Sequence, residues 1–223
     1  TFNGSLFLLP KDCRLTEFTL EGISNIQGDF QCIDYFYVKE FVMPFIRVAG
    51  DMTIALNSGS VNTAAEIEFP KLQEIGGTLT LGTNRNANNI TFPLLKKILG
   101  SCSVTTYKLK NDIEFTNLES IGTDGADAQI KFEIEATNIL CPKLKTINGK
   151  FDIATSSFMF DMEVDKVSYP NVESISENLS ITCPYSDFGS NGILSIDFSG
   201  LKSAKGISIS GQGDVTDFSS FKY

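Results

Sequence analysis

The side chains in this sequence that could do chemistry are carboxylates, amines, hydroxyls, amides and five thiols; histidine and tryptophan do not occur. Without an imidazole, Ser-His-Asp and Cys-His catalysis and histidine-ligated metal centres are excluded, since each rests on a group that exchanges a proton or binds a metal near neutral pH. Carboxylates remain, as in polysaccharide-cleaving β-helix enzymes, but such chemistry needs acids gathered at one place. Glu133 and Asp152 are isolated from each other in the sequence. Asp124-Gly125-Ala126-Asp127 supplies too few carboxylates at alternating positions for calcium and reads as a solvated turn. No catalytic residue, cofactor site or metal site is therefore expected.

The thiols are Cys13, Cys32, Cys102, Cys141 and Cys183, an odd number at irregular spacing and without a CxxC pair. A structural zinc site does not fit that spacing. Four of them read as small buried apolar residues, and Cys13 is the one that could pair, with Cys32 as its partner. Three sequons, at Asn3, Asn89 and Asn178, are candidate glycosylation sites in a secreted chain.

The elements that must position these groups come from an internal repeat. Ile67-Glu68-Phe69-Pro70-Lys71-Leu72-Gln73-Glu74-Ile75-Gly76-Gly77-Thr78-Leu79-Thr80-Leu81 is followed by a second copy, Ile90 to Val104, on the same plan. The plan is apolar-x-aromatic-Pro-x-Leu-x-x-Ile-x-Gly-x-apolar-x-apolar. Imperfect copies run from Phe18 to Ile209, and the isoleucine column Ile26, Val48, Ile75, Ile98, Ile121, Ile147, Ile175, Ala204 recurs about every 25 residues, a solenoid period. Apolar residues two apart, as in Leu79-x-Leu81, place both side chains on one face of a strand. The stretch Phe69, Leu72, Ile75 is broken by Pro and Gly and is too short for an α-helix, so it reads as a corner or a single 3₁₀ turn. A glycine column (Gly4, Gly28, Gly50, Gly77, Gly100, Gly149, Gly206) precedes the main strand and suits a positive φ or a close backbone approach.

The expected fold is all-β, a right-handed parallel β-solenoid of about eight turns, forming a single domain over residues 1–223. Its main sheet presents outward Gln31, Thr53, Thr80, Ser103, Glu133, Asp152, Ser180 and Ser208, a hydroxyl-rich and mildly acidic stripe. That stripe reads either as a binding face for a protein or glycan or as a plain solvated β-face. The return segments 154–166 and 182–195 are longer than the rest, either contact loops or tolerated insertions. Gly4-Ser5-Leu6-Phe7-Leu8 and Phe218-Ser219-Ser220-Phe221 each look like part of a repeat, so a piece of a longer polypeptide, with ends able to stack on neighbouring turns, is expected.

Charge and hydropathy narrow the partners. The net charge of −9 is dispersed and shows no basic stripe for nucleic acid. No run is long and apolar enough for a membrane helix, and no basic and apolar leader opens the chain.

The phrase Phe-Pro-x-Leu-x-x-Ile-x-Gly-x-Leu-x-Leu at Phe69–Leu81 resembles the L domains of insulin- and EGF-receptor ectodomains, and the fungal GPI-anchored cell-wall proteins that share that domain. Leu79-x-Leu81-x-x-Asn84 is also similar to leucine-rich repeats. The resemblance implies an extracellular or surface-attached, non-enzymatic recognition or adhesion module that offers a sheet face and loops to a protein or glycan. The alternatives are a structural spacer in a larger surface protein or filament, and a polysaccharide-cleaving enzyme. The receptor domains close their ends with disulfides, a pattern this sequence does not match.

Overall fold

The computed structural model describes residues 1–9, 17–33, 40–56, 65–83, 87–105, 112–125, 128–134, 138–155, 166–183 and 195–211. They form a parallel β-solenoid. One long sheet has nine strands in chain order: Leu6–Leu8, Phe30–Ile33, Met52–Leu56, Leu79–Thr83, Cys102–Thr105, Ala128–Ile134, Gly149–Thr155, Asn178–Cys183 and Gly206–Gly211. A second sheet stacks seven two-residue strands from Asn25–Ile26 to Ser174–Ile175. A third carries six strands from Glu17–Thr19 to Ile139–Leu140; after a break, Lys166–Ser168 pairs with Ser195–Asp197. No helix of the described residues is long and apolar enough to cross a membrane.

The interior follows from the repeat. Leu72, Leu95, Leu118 and Leu144 form one fully enclosed column, and Ile75, Ile98, Ile121 and Ile147 another. Each such side chain contributes on the order of 1.5–3 kcal/mol of burial. Phe69, Phe92 and Phe115 stack face to face, with ring centroids 5.1 and 5.0 Å apart. Cys141 takes the next place in that column and leaves room. The inward residues Phe132 and Phe151 of the long sheet occupy this part of the core, 5.2 Å apart edge to face, and Phe151 meets Tyr169 at 5.4 Å. Volume lost at one wall is thus regained at another, as close packing requires.

The corners are β-turns. The amide of Leu72 donates to the Phe69 carbonyl, and the same bond recurs from Leu95 to Phe92 and from Val172 to Tyr169. Pro70, Pro93 and Pro170 stand just after the turn's first residue, where a fixed φ helps and a missing amide costs nothing.

At the glycine column it is close approach that selects the residue. Successive glycines bond backbone to backbone, Gly50 to Gly28 at 3.0 Å, Gly77 to Gly50 at 2.9 Å and Gly100 to Gly77 at 3.0 Å. A Cβ at Gly100 would stand 2.6 Å from the Gly77 carbonyl carbon. A positive φ occurs among the described glycines only at Gly22, Gly122 and Gly125, outside the column. One assignment changes, and one coil that the glycine column skips is filled. Ala128 is in register with Gly149, and Gly206 pairs with Asn178, one step beyond the column. Lys205 holds the column place and forms an ion pair with Glu177 of the preceding coil. The slip arises because Gly206 is followed directly by an inward isoleucine, without the intervening polar residue of the template.

The break in the third sheet is bridged by a side chain. Ile139–Leu140 ends the six-stranded run, and the Tyr169 hydroxyl, itself buried, donates to the Ile139 carbonyl at 3.0 Å. Tyrosine instead of phenylalanine at this column place supplies a donor where the six-stranded ladder stops.

Two outcomes are expected in urea unfolding. Gly100→Ala should lose about 1–3 kcal/mol by backbone overpacking. Gly82→Ala, where a Cβ would meet nothing within 4 Å, should be neutral or stabilising by about 0.5–1 kcal/mol; equal effects would contradict the close-approach account. Tyr169→Phe should cost about 1–3 kcal/mol by leaving a buried carbonyl without its donor, and an unchanged midpoint would show that the bond contributes nothing.

Candidate functional site

Parallel stacking turns every outward residue of the long sheet into part of a row. Strand register aligns Phe7, Gln31, Thr53, Thr80, Ser103, Lys131, Asp152, Ser180 and Ser208. Seven of the eight residues expected on this stripe therefore fall together. Glu133 does not. It lies one row over, between Thr105 and Ala154, and Lys131 holds its place. Ile130, Phe132 and Ile134 alternate in one strand, so a shift of two residues keeps every side chain on the same face. Hydrophobic pattern alone cannot choose between the two registers.

The rows are spaced as the sheet dictates, about 4.7–4.9 Å from strand to strand. Thr80 and Ser208 are exposed, while Gln31, Thr53, Ser103, Asp152 and Ser180 are half-buried by their neighbours. The central row divides by charge. From Gln31 to Ser103 the central row is uncharged, and beside it lie Ile33, Ala55, Gly82 and Thr105, so this part is low in bulk from Ala55 onward. Phe7, 51% exposed, begins the row. Beyond Ser103 come Lys131 and Asp152, the latter held to Lys150 at 3.0 Å. Further on, the Thr182 and Ser210 hydroxyls of adjacent strands lie 3.3 Å apart.

A third row, at the start of the strands, joins coil to coil through side chains. Ser5 Oγ accepts the Asp29 amide at 2.9 Å, Asp29 Oδ1 accepts that of Asp51 at 2.9 Å, and Asp51 Oδ1 that of Thr78 at 2.7 Å. Ser101 Oγ serves Gln129 at 3.0 Å in the same way. The Asp29 and Asp51 oxygens lie where a Cβ on Gly50 or Gly77 would have to go, so the glycine column also makes room for these acceptors. Sequence reasoning missed this ladder. Its signal was present in the dipeptides Gly4-Ser5, Gly28-Asp29, Gly50-Asp51 and Gly100-Ser101.

Around the corner, charges alternate along another row, Lys96, Glu119, Lys145, Glu173 and Lys202, each backbone-bonded to the one before. The hydrogen bond from Lys202, at 2.6 Å, together with its charge and that of Lys145, holds the Glu173 carboxyl below the usual range. Arg47 and Glu74 pair at 2.8 Å on the second sheet. These contacts are largely exposed and weigh little in stability.

Among the described residues, no group of three or more His, Cys, Asp or Glu could hold a metal ion. Asp124 is exposed in a turn with Gly125 at φ +78°, and Asp127 lies outside the described residues. Asn3 and Asn178 are exposed; Asn89 lies on the strand Ala87–Thr91, its side chain outside the description. Asn84, the segment Phe218–Phe221, Cys13 and the greater part of both long return segments lie outside the described residues as well.

Cys32, Cys102 and Cys141 are buried free thiols. The suggested pairing of Cys32 with Cys13 is not formed, because Cys32 faces the apolar core from a long-sheet strand. Cys183 ends the strand Asn178–Cys183. Burial pushes the Cys32 thiol up to about 12 and raises Cys102 and Cys141 as well. The three should resist thiolate-directed reagents at pH 8 in the native protein and react on unfolding. Folded thiols that ionise later than unfolded ones leave stability unchanged below pH 9.0 and lower it as pH rises toward 12. Rapid native labelling of any of the three, read by peptide mass, would contradict their enclosure.

No family model, curated protein or solved structure matches this chain.

Proposed function

We propose that this chain is a non-enzymatic recognition or adhesion module of a secreted or surface-attached protein. It binds a protein or glycan through the outer face of the long sheet. The observation that carries the reading is the row from Gln31 through Thr53 and Thr80 to Ser103: uncharged donors and acceptors at strand spacing, with Ala55 and Gly82 leaving Thr53 and Thr80 open on one side. A solenoid whose side chains are fixed by coil-to-coil contacts presents such groups with little ordering cost on binding. The long return segments, on a rigid scaffold, are a second source of contacts. The likeness of Phe69–Leu81 to receptor L domains points the same way. With it we infer a right-handed coil of about eight turns, supported by nine long-sheet strands that follow one another in chain order.

A specific observation favours a second reading, a structural unit that stacks on neighbouring coils. Leu6, Leu8, Leu20 and Ile23 at one end and Leu201, Ala204, Ile207 and Ile209 at the other are the half-buried terminal members of the interior columns. A third, weaker reading is cleavage of a polysaccharide by carboxylates.

The test is binding to a printed array of neutral and acidic oligosaccharides and to immobilised cell-surface protein extract, with Thr80→Arg as the face variant. Wild-type binding that Thr80→Arg weakens about tenfold or more, a loss of roughly 1.4 kcal/mol or greater, with an unchanged circular dichroism spectrum, is the expected result. Concentration-dependent self-association without binding would favour the stacking unit. Product release from a polysaccharide would replace both with an enzyme.

A further inference from the structure

We infer that Asn178 is a glycan attachment point, and that its glycan covers the Ser180–Ser208 end of the long-sheet face, confining recognition to the Gln31–Ser103 end. This rests on the surface reading above and adds which part of the face stays open.

The strand Asn178–Cys183 begins with the sequon Asn178-Leu179-Ser180. Leu179 is fully buried, so the alternation of the strand sets Asn178 and Ser180 on the outer face. Asn178 is exposed, and among the described residues its carboxamide has no hydrogen-bond partner. Its neighbour on the next coil is Gly206. A Cβ there would sit 3.0 Å from Asn178 Oδ1, so the glycine leaves a shelf beside the amide. On the preceding coil Lys150 is tied to Asp152 at 3.0 Å, an ion pair that engages its ammonium. The amide thus stands on an open face with small or committed neighbours. Asn3 is exposed too, but its sequon hydroxyl, Ser5 Oγ, is the acceptor that joins the first coil to the second, and Asn3 lies at the far end from Ser208.

The chemistry is transfer from a lipid-diphosphate-linked oligosaccharide. Asn178 Nδ2 bonds to the anomeric carbon of the reducing-end sugar and loses one proton. The bond from that carbon to the diphosphate oxygen breaks, and the lipid diphosphate leaves with the electron pair. The amide gains a bulky polar group at the start of the strand, two residues from Ser180, whose partner on the next coil is Ser208. The row from Gln31 to Ser103 begins three strands away.

The experiment is secretion of the full chain behind a leader from a eukaryotic host, followed by intact mass and glycopeptide mapping. Expected is a hexosamine-linked glycan on the Asn178 peptide that is lost in Asn178→Gln and in Ser180→Ala, and kept in Ser180→Thr. An unoccupied Asn178 in secreted wild-type protein with the β-sheet circular dichroism spectrum overturns the assignment while leaving the surface reading intact. The natural protein, if found within the cytosol and unglycosylated, would overturn both. On the oligosaccharide array, removal of the Asn178 glycan should leave binding unchanged while Thr80→Arg weakens it about tenfold or more. Binding that appears only after the glycan is removed would place recognition at the Ser180–Ser208 end instead and defeat the confinement.

Discussion

Everything in this molecule depends on the demand that each coil lie in register on the next. Parallel pairing holds neighbouring strands about 4.7–4.9 Å apart, and a side chain has only that space between its equivalents above and below. Flat rings meet the demand by stacking, as Phe69, Phe92 and Phe115 do with nearly parallel planes. Branched aliphatic residues meet it by repeating the same column. At Gly28, Gly50, Gly77 and Gly100 the backbones themselves approach so closely that no side chain fits. The sequence repeat is the record of that constraint, since one misfit is felt by two neighbours at once.

The departures from the repeat show how far the constraint yields. Cys141 interrupts the aromatic column, and Phe132 with Phe151 occupies that part of the core from the opposite wall. Tyr169 restores the ring and turns a hydroxyl onto the Ile139 carbonyl where the six-stranded ladder ends. A hydroxyl there would be costly in an apolar column without an acceptor, and is satisfied only because the ladder stops at that coil. The three buried thiols belong to the same packing logic and behave as small apolar fillers.

The outer face inherits its order from the inner one. Columns that must stack inside also align whatever stands between them outside, so hydroxyls, amides and charges form rows without being selected as rows. This explains why a recognition surface and a solvated sheet look alike in the alternation of residues. What separates the two halves of this face is chemical. The half from Gln31 to Ser103 has an uncharged central row edged by the Asp29 and Asp51 carboxylates, whereas the other half carries the Lys150–Asp152 ion pair in and beside that row and an exposed sequon asparagine.

The β-solenoid, its interior columns, the corners and the inward Cys32, Cys102 and Cys141 were legible in the residues because they follow from a local period repeated many times. Seven members of the outward row were legible for the same reason. Glu133 was misplaced because a strand of three alternating apolar residues reads identically after a shift of two, and Gly206 because the template lost a residue there. The Ser5–Asp29–Asp51 ladder needed knowledge that a side chain on one coil meets an amide on the next. The sequence by itself determined which faces point inward, since alternation and burial are properties of one strand. Only the tertiary structure decided which residues of different coils are neighbours, because register is set by the contact between strands and by where the inserted turn at Gly122–Gly125 lets the pairing resume.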